Sequence, residues 1–303
     1  MKEGDETGEM GGGALAPWIR PDIQQNIRWR SGDIVVSVPP KSGTTWTMNI
    51  VYQLLNGGTA DFRDIYEEVP WIEFLPGPDA GIDAVLERID RMPTDRPRVF
   101  KSHSAPSMLP YRDDVRYVVV GRNPEEAVVS FFPFLAKHSE EWNALWGMPP
   151  GALTWPDFPT FYAEMIAPGV HRGAFYDFAN AWWSYRDRAN VLFLHFSEMK
   201  ADHEGSIRRI ADFLGIVPAP DEWARILEYT SFEWMKRHED KFEAITAGTI
   251  PVLTRGAMVR KGEAGAAGQD GMTPELAADL RRAGEDTCEP DVLAWLYGEA
   301  RRG

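Results

Sequence analysis

The chain is poor in the residues that build covalent or metal frameworks. Its 303 residues include a single cysteine, Cys288, which excludes an internal disulfide framework and a cysteine-based zinc site. The six histidines do not form an HExxH pattern or another recognisable metal-binding spacing. We therefore predict a protein that uses no bound metal.

Positive charge is also scarce. The 32 basic and 46 acidic side chains give a formal net charge of −14 at pH 7. General nucleic-acid binders and proteins of anionic membrane surfaces are normally basic, so we predict neither partner. An anionic ligand must then be held by a local cluster of cations that works against the overall field of the protein.

Long apolar runs and targeting signals are missing as well. No apolar run approaches the roughly 18 residues needed to span a bilayer. Residues 1–13 are acidic and glycine-rich, without the basic and apolar regions of a signal peptide. We expect a disordered arm over residues 1–16, one domain over 17–303, and a cytoplasmic protein. No dimerisation segment is recognisable near the C-terminus, so a monomer and a homodimer are both open.

Apolar strand patterns alternate with amphipathic helix patterns along the chain. They predict strands at 34–38, 98–101, 116–120 and 191–196, and helices at 45–55, 80–91 and 205–214. Continuous apolar strands separated by helices indicate an α/β domain with a central parallel sheet flanked by helices. Such sheets bind ligands at the carboxyl ends of their strands, so motifs that follow different strands can share one site.

The most informative motif follows the first strand, where residues 38–46 read Val-Pro-Pro-Lys-Ser-Gly-Thr-Thr-Trp. A strand, a loop of small residues and a helix start build an anion cradle, because the N–H groups of the first helical turn and the helix dipole favour negative charge. Lys41 adds a full positive charge. Lys41 precedes Gly43, so the segment is not a Walker A loop. Taken alone, an ordinary strand-to-helix turn is the alternative.

Two other strand ends carry charged or titratable residues. Arg122 ends the strand at 116–120 and is followed by Asn-Pro, a good start for a helix that carries Ser130 and that Pro133 should kink or end. Lys101 and His103 end the preceding strand and, two residues apart on an extended segment, face the same side. Singly, each of these residues is explained by a surface ion pair or a structural role.

Together, these segments resemble the cytosolic-type sulfotransferases, which use 3′-phosphoadenosine 5′-phosphosulfate (PAPS). Residues 40–46 resemble the family's 5′-phosphosulfate-binding loop, and Arg-Asn-Pro with a serine eight residues after the arginine resembles its 3′-phosphate site. The resemblance covers about residues 32–265 and implies a single domain with a P-loop-like phosphosulfate-binding loop. The donor-binding residues that it implies at these two motifs are Lys41, Ser42, Gly43, Thr44, Thr45, Trp46, Arg122 and Ser130.

Residues 229–235 resemble the family segment that holds adenine. The resemblance implies that Phe232 and Trp46 sandwich the base while Thr230 hydrogen-bonds its edge. Phe196 stands where the family usually has tyrosine, which removes one hydroxyl from the donor site.

Residues 259–265 match the family's Arg-Lys-Gly-x-x-Gly loop, which closes over the 3′-phosphate. The resemblance therefore implies donor contacts from Arg260, Lys261 and Gly262. The family's Asp-Trp-Lys after Gly265 is replaced by Ala-Ala-Gly, a composition that suits a gating lid.

The string Lys-Ser-His at 101–103 is similar to the family's Lys-Thr-His, whose histidine is the general base. By this resemblance His103 takes the proton of an attacking hydroxyl, an effect worth about 10²–10⁴-fold. Lys41 stabilises the leaving phosphate and Lys101 acts on the sulfuryl oxygens, so no metal is required. The products are a sulfated acceptor and adenosine 3′,5′-bisphosphate (PAP).

Aromatic residues are dense between 131 and 185. Those of 175–183 have helical spacing and are expected in the core, whereas the proline-broken segment 133–168 is expected to line an apolar acceptor pocket.

We predict a PAPS-dependent sulfotransferase whose acceptor is a small apolar, aryl or glycolipid-like molecule with a hydroxyl. The alternative is a P-loop-like nucleotide kinase. It would need a Mg²⁺-binding carboxylate at a strand end, and the sequence shows none convincingly. His103 with Lys41 and Lys101 argues against a donor-binding scaffold without catalysis.

Overall fold

A computed structural model describes residues 16–243, 250–259 and 267–299. The α-helices are α1 Asp22–Asn26, α2 Thr44–Leu55, α3 Ile65–Glu68, α4 Ile82–Asp90, α5 Pro124–Leu135, α6 Glu140–Leu145, α7 Phe158–Phe161, α8 Val170–Trp183, α9 Phe196–Ala201, α10 His203–Leu214, α11 Pro220–Tyr229, α12 Phe232–Arg237, α13 Pro274–Glu285 and α14 Pro290–Leu296. The expected arm at 1–16 lies outside the described residues except for residue 16, so it stays a prediction, as does the domain boundary.

The described residues contain one sheet of four parallel strands in the order β2-β1-β3-β4. The strands are β1 Ile34–Ser37, β2 Val99–Ser102, β3 Arg116–Gly121 and β4 Val191–His195. In the register of the sheet, Ile34 is paired with Val99 on one side and with Arg116 on the other. The prediction of a parallel sheet is confirmed, and the carboxyl ends of β1, β2 and β3 therefore meet at one edge.

The sheet is covered on both faces, which explains why its strands read as continuous apolar runs. Alternate strand residues such as Val35 and Tyr117 pack with α5, α8, α13 and α14 on one face. Their neighbours Val36 and Val118 pack with α2, α10 and α11 on the other face. The expected core stripe of α8 is confirmed for Phe175, Phe178, Ala179 and Trp182, which are buried, but not for Trp183, which is only half-buried.

Element boundaries differ from the predicted ones by one or two residues. Helix α2 begins one residue early, at Thr44, because Gly43 serves as its N-cap. Strand β4 ends at His195 rather than 196, since the His195 side chain accepts the N–H of Ser197 and starts α9. Helix α5 continues past Pro133 to Leu135. In the described part of the chain, no helix is long and apolar enough to cross a membrane.

Candidate active site

The carboxyl edge of the sheet opens into a cavity of about 1120 Å³. The cavity brings together residues from segments that are distant in sequence. Among the predicted site residues, it is lined by Lys41, Gly43, Thr44, Thr45, Trp46, Lys101, His103, Arg122, Ser130 and Phe232. Ser42 and Thr230 are fully buried and do not line it.

The loop between β1 and α2 is a strained, tight turn. Lys41 has φ +61°, a left-handed conformation that costs a non-glycine residue about 1–2 kcal/mol and that clusters at ligand clamps. Gly43 has φ +94°, and a Cβ there would lie 2.7 Å from Cδ2 of Phe196, so only glycine fits. Because Gly43 has no side chain to cap α2, the first N–H groups of the helix suit an anion.

Aromatic rings hold two lysines at this edge of the sheet, Lys41 in the loop and Lys101 in β2. The Nζ atom of Lys41 lies 3.9 Å from the ring centroid of Phe134. The Nζ atom of Lys101 lies 3.2 Å from the ring centroid of Trp71. Burial lowers the pKa of Lys101 to about 7, the Glu73 carboxylate opposes this, and the Lys41 charge adds to it. Lys101 is therefore poised between its neutral and charged forms near neutral pH.

His103 is held so that one ring nitrogen can act as a base. Its Nδ1 lies 2.5 Å from the carbonyl oxygen of Val38. A carbonyl only accepts hydrogen bonds, so Nδ1 carries the proton in the neutral ring and Nε2 has the free lone pair. Desolvation lowers the pKa of His103 well below its usual value, Lys101 lowers it further, and the hydrogen bond to Val38 opposes this. The imidazole is thus neutral at physiological pH and can accept a proton.

Arg122 connects the loop to helix α5. Its Nη1 donates to the carbonyl oxygen of Lys41 at 2.7 Å, and its Nε pairs with Oε2 of Glu126 at 3.1 Å. The guanidinium also lies 4.4 Å from the ring centroid of Phe196. Two turns further along α5, Ser130 lines the same cavity. A phosphate at this edge would meet a cation already oriented by the loop itself.

Trp46 forms a fixed aromatic wall at the other end of the loop. Its Nε1 donates to the carbonyl oxygen of Thr230 at 2.8 Å. Its ring stacks on His203 with centroids 5.7 Å apart and an interplanar angle of 30°. The Thr230 hydroxyl donates to the carbonyl oxygen of Ile226 at 2.7 Å and lies 3.0 Å from Nε2 of His203. The hydroxyl predicted to meet adenine is therefore engaged inside the protein.

The remainder of the cavity is mostly aromatic and aliphatic. Segment 133–168 contributes only part of it, because Trp142, Phe158 and Phe161 are buried in the core. The residues that line this half are Trp18, Trp71, Phe74, Phe134, Leu135, His138, Met148, Leu153, Met165, Val252 and Leu253. Trp18 stacks on His138 with centroids 6.0 Å apart, so the segment before α1 forms a wall that sequence reasoning did not reveal.

Residues 31–289 match the family model described as the sulfotransferase domain. The chain belongs to the sulfotransferase family. Mouse sulfotransferase 1 family member D1 is 33% identical over 223 residues, which cover 71% of this chain and 69% of the relative. Human sulfotransferase 1C2 is 26% identical over 247 residues, which cover 80% of this chain and 78% of the relative. The predicted enzyme class is confirmed.

Solved structures share the fold of this sulfotransferase. Mouse sulfotransferase SULT7A1, complexed with PAP, matches with a TM-score of 0.68 and 24% identity over 91% of both chains. Retinol dehydratase, in complex with androsterone and the inactive cofactor PAP, matches with a TM-score of 0.62 and 22% identity over 86% of this chain and 82% of the other. The predicted α/β architecture is confirmed.

The described residues of this sulfotransferase do not include every predicted site residue, and the structure places further residues beside the site. Arg260, Lys261 and Gly262 lie outside the described residues. Glu73 and His203 adjoin His103 and Trp46, yet neither belongs to a recognisable motif. Within the described ranges, no group of three or more His, Cys, Asp or Glu side chains is arranged to hold a metal ion.

Proposed function

We propose that this sulfotransferase moves a sulfuryl group from PAPS to a hydroxyl of a small apolar acceptor and releases PAP. One observation carries the proposal. A single cavity contains the strained loop with Lys41, the neutral imidazole of His103 and the buried Lys101. The two solved relatives complexed with PAP support the identity of the donor.

The residues present fit such a donor. The loop turns tightly at Gly43, which packs against the Phe196 ring, and places the N-terminus of α2 and two lysines beside the cavity. At the end of β3, Arg122 offers a guanidinium fork suited to a second phosphate. Trp46 and Phe232 line the cavity with rings on which a base can stack. When bound, PAPS supplies a sulfuryl group on a phosphate leaving group.

Each residue then has a defined task. His103 accepts at Nε2 the proton that the acceptor hydroxyl loses as its oxygen bonds to sulfur, while the bond from sulfur to the 5′-phosphate oxygen breaks. Lys41 stabilises the negative charge that develops on that phosphate oxygen. Lys101 stabilises the charge on the sulfuryl oxygens. Arg122 and Ser130 position the donor through its 3′-phosphate.

The apolar half of the cavity indicates the class of acceptor. Trp18, Phe74, Phe134 and Leu253 surround the space beyond His103 with rings and alkyl groups. Such walls bind apolar, aryl or glycolipid-like molecules that present one hydroxyl to the base. We also propose that the enzyme has no nucleic-acid partner, on the support of its net charge of −14. A cytoplasmic location is proposed because its motifs resemble those of the cytosolic-type sulfotransferases.

Calorimetry tests the donor assignment. PAP should bind more tightly than AMP or ATP without magnesium, because only PAP places a phosphate at Arg122 and Ser130. Equal affinity for AMP and PAP would contradict the assignment of Arg122 and Ser130 to the 3′-phosphate.

Turnover of labelled PAPS with phenols, steroids, glycolipids and peptide-like alcohols tests the reaction. His103→Ala should abolish transfer and leave the Kd of PAP within about 3-fold. His238→Ala is the control, since His238 does not line the cavity and should leave transfer unchanged. Surviving activity in His103→Ala means that another base is at work.

A further inference from the structure

Glu73 lies in a short turn beside the end of β2. The N–H of Lys101 donates to the carbonyl oxygen of Pro70 at 2.9 Å, and the N–H of Ile72 donates to that of Lys101 at 3.0 Å. The carbonyl oxygen of Glu73 itself accepts the N–H of Arg20 at 2.7 Å. The backbone before Glu73 is therefore fixed against the strand that leads to His103, and Glu73 itself is fixed against the segment at Arg20.

The Glu73 side chain points into the end of that strand and is buried, with 1% of the residue exposed. Its Oε1 accepts the backbone N–H of His103 in a short hydrogen bond. The hydroxyl of Ser102 lies 3.4 Å from the same oxygen. The other oxygen, Oε2, is buried without a hydrogen-bond partner in the described part of the chain.

This arrangement is poor for stability and well suited to holding His103. A buried carboxyl oxygen without a partner destabilises a fold, and burial raises the pKa of Glu73. The same Glu73 side chain holds His103 in place, since His103 is fixed at its backbone N–H by Glu73 and at Nδ1 by Val38. These two hydrogen bonds together set the direction in which Nε2 points.

We propose that Glu73 is a positioning residue for the base: the reach of its side chain to the His103 amide sets the backbone from which the imidazole projects. The inference rests on the proposed function, because that proposal assigns the base to His103. This role requires the length of the Glu73 side chain and an accepting oxygen, but it does not require negative charge.

Two variants separate reach from charge. Glu73→Gln keeps the length and an accepting oxygen and removes the charge. Glu73→Asp keeps the charge and retracts the carboxylate by roughly 1.5 Å, the length of one carbon–carbon bond. A misplacement of this size at a catalytic group lowers rates by up to about 10²-fold. We expect Glu73→Asp to lower kcat about 10–100-fold. Glu73→Gln also removes a charge that favours protonated Lys101, so its kcat is compared at pH 6, where we expect it to stay within about 3-fold of the wild type. In both variants the Kd of PAP and the KM of the acceptor should stay within about 3-fold.

Asp64 provides a matched control. Asp64 is equally buried, its Oδ1 accepts the N–H of Tyr66 at 2.7 Å, and its Oδ2 also has no partner among the described residues. Asp64 does not line the cavity, so Asp64→Asn should change thermal stability but leave kcat unaltered.

Each result decides between the two proposals. If the wild type turns over none of the acceptors with labelled PAPS, both proposals are overturned. With an active wild type, this inference alone is overturned by full kcat in Glu73→Asp or by an equal loss in Glu73→Gln. It is also overturned if Glu73→Asp weakens PAP binding as much as it lowers kcat, because that pattern indicates general damage to the site.

Discussion

Binding of PAP should load a proton onto Lys101. In the free protein, burial lowers the pKa of Lys101 to about 7. The phosphates of PAP bring negative charge to the loop at Lys41, and a nearby opposite charge favours the protonated form of a lysine. The pKa of Lys101 therefore rises on binding. By linkage, the complex must take up the proton that the free protein lacks.

The size of this uptake follows from the fraction of Lys101 that is neutral before binding. With a pKa of about 7, the amine is neutral in about a tenth of the molecules at pH 6, about half at pH 7 and about nine tenths at pH 8. Uptake per PAP should therefore increase with pH over this range. At pH 8, phosphate monoesters are fully ionised because their second pKa is about 6, so the ligand releases no proton of its own.

Calorimetry in buffers of different ionisation enthalpy measures the uptake. The slope of the observed binding enthalpy against buffer ionisation enthalpy gives the number of protons bound. Lys101→Arg is the control, since arginine keeps the charge and stays protonated at all working pH values. We expect an uptake of up to about 0.9 proton for the wild type at pH 8, the limit at which the complex holds Lys101 fully protonated, and close to none for Lys101→Arg. A slope near zero for the wild type, or equal slopes for both proteins, refutes the reasoning.

Further predictions concern the loop and its arginine. Gly43→Ala should lower the free energy of unfolding by about 1–3 kcal/mol and weaken PAP binding, because of its φ of +94° and the 2.7 Å approach to Phe196. Denaturant titration checks this, and unchanged stability contradicts it. Glu126→Gln should tighten PAP binding at low salt about 2–10-fold, since Glu126 competes for Arg122. Glu125→Gln, on the same helix, should change PAP affinity less, and equal effects refute the competition.

The edge of the sheet where the site lies could be predicted from sequence because each apolar run ends in a short motif. Lys41, His103 and Arg122 all follow such runs, and parallel strands bring those positions together. Glu73 and His203 could not be predicted in this way. Glu73 reaches His103 from 30 residues away through backbone pairing beside β2, and His203 reaches Trp46 through helix packing. Neither contact leaves a local pattern of residue types.

At residue 196 the chain has phenylalanine where the family usually has tyrosine, and the structure shows which contacts this change keeps. The Phe196 ring lies 2.7 Å from where a Cβ on Gly43 would stand, and the Arg122 guanidinium lies 4.4 Å from its centroid. The ring of Trp46 meets it edge-on, with centroids 5.9 Å apart and an interplanar angle of 78°. All of these contacts use the ring, which phenylalanine and tyrosine share. Loss of the hydroxyl therefore removes one polar group but keeps the surface against which the loop, the arginine and the tryptophan are arranged.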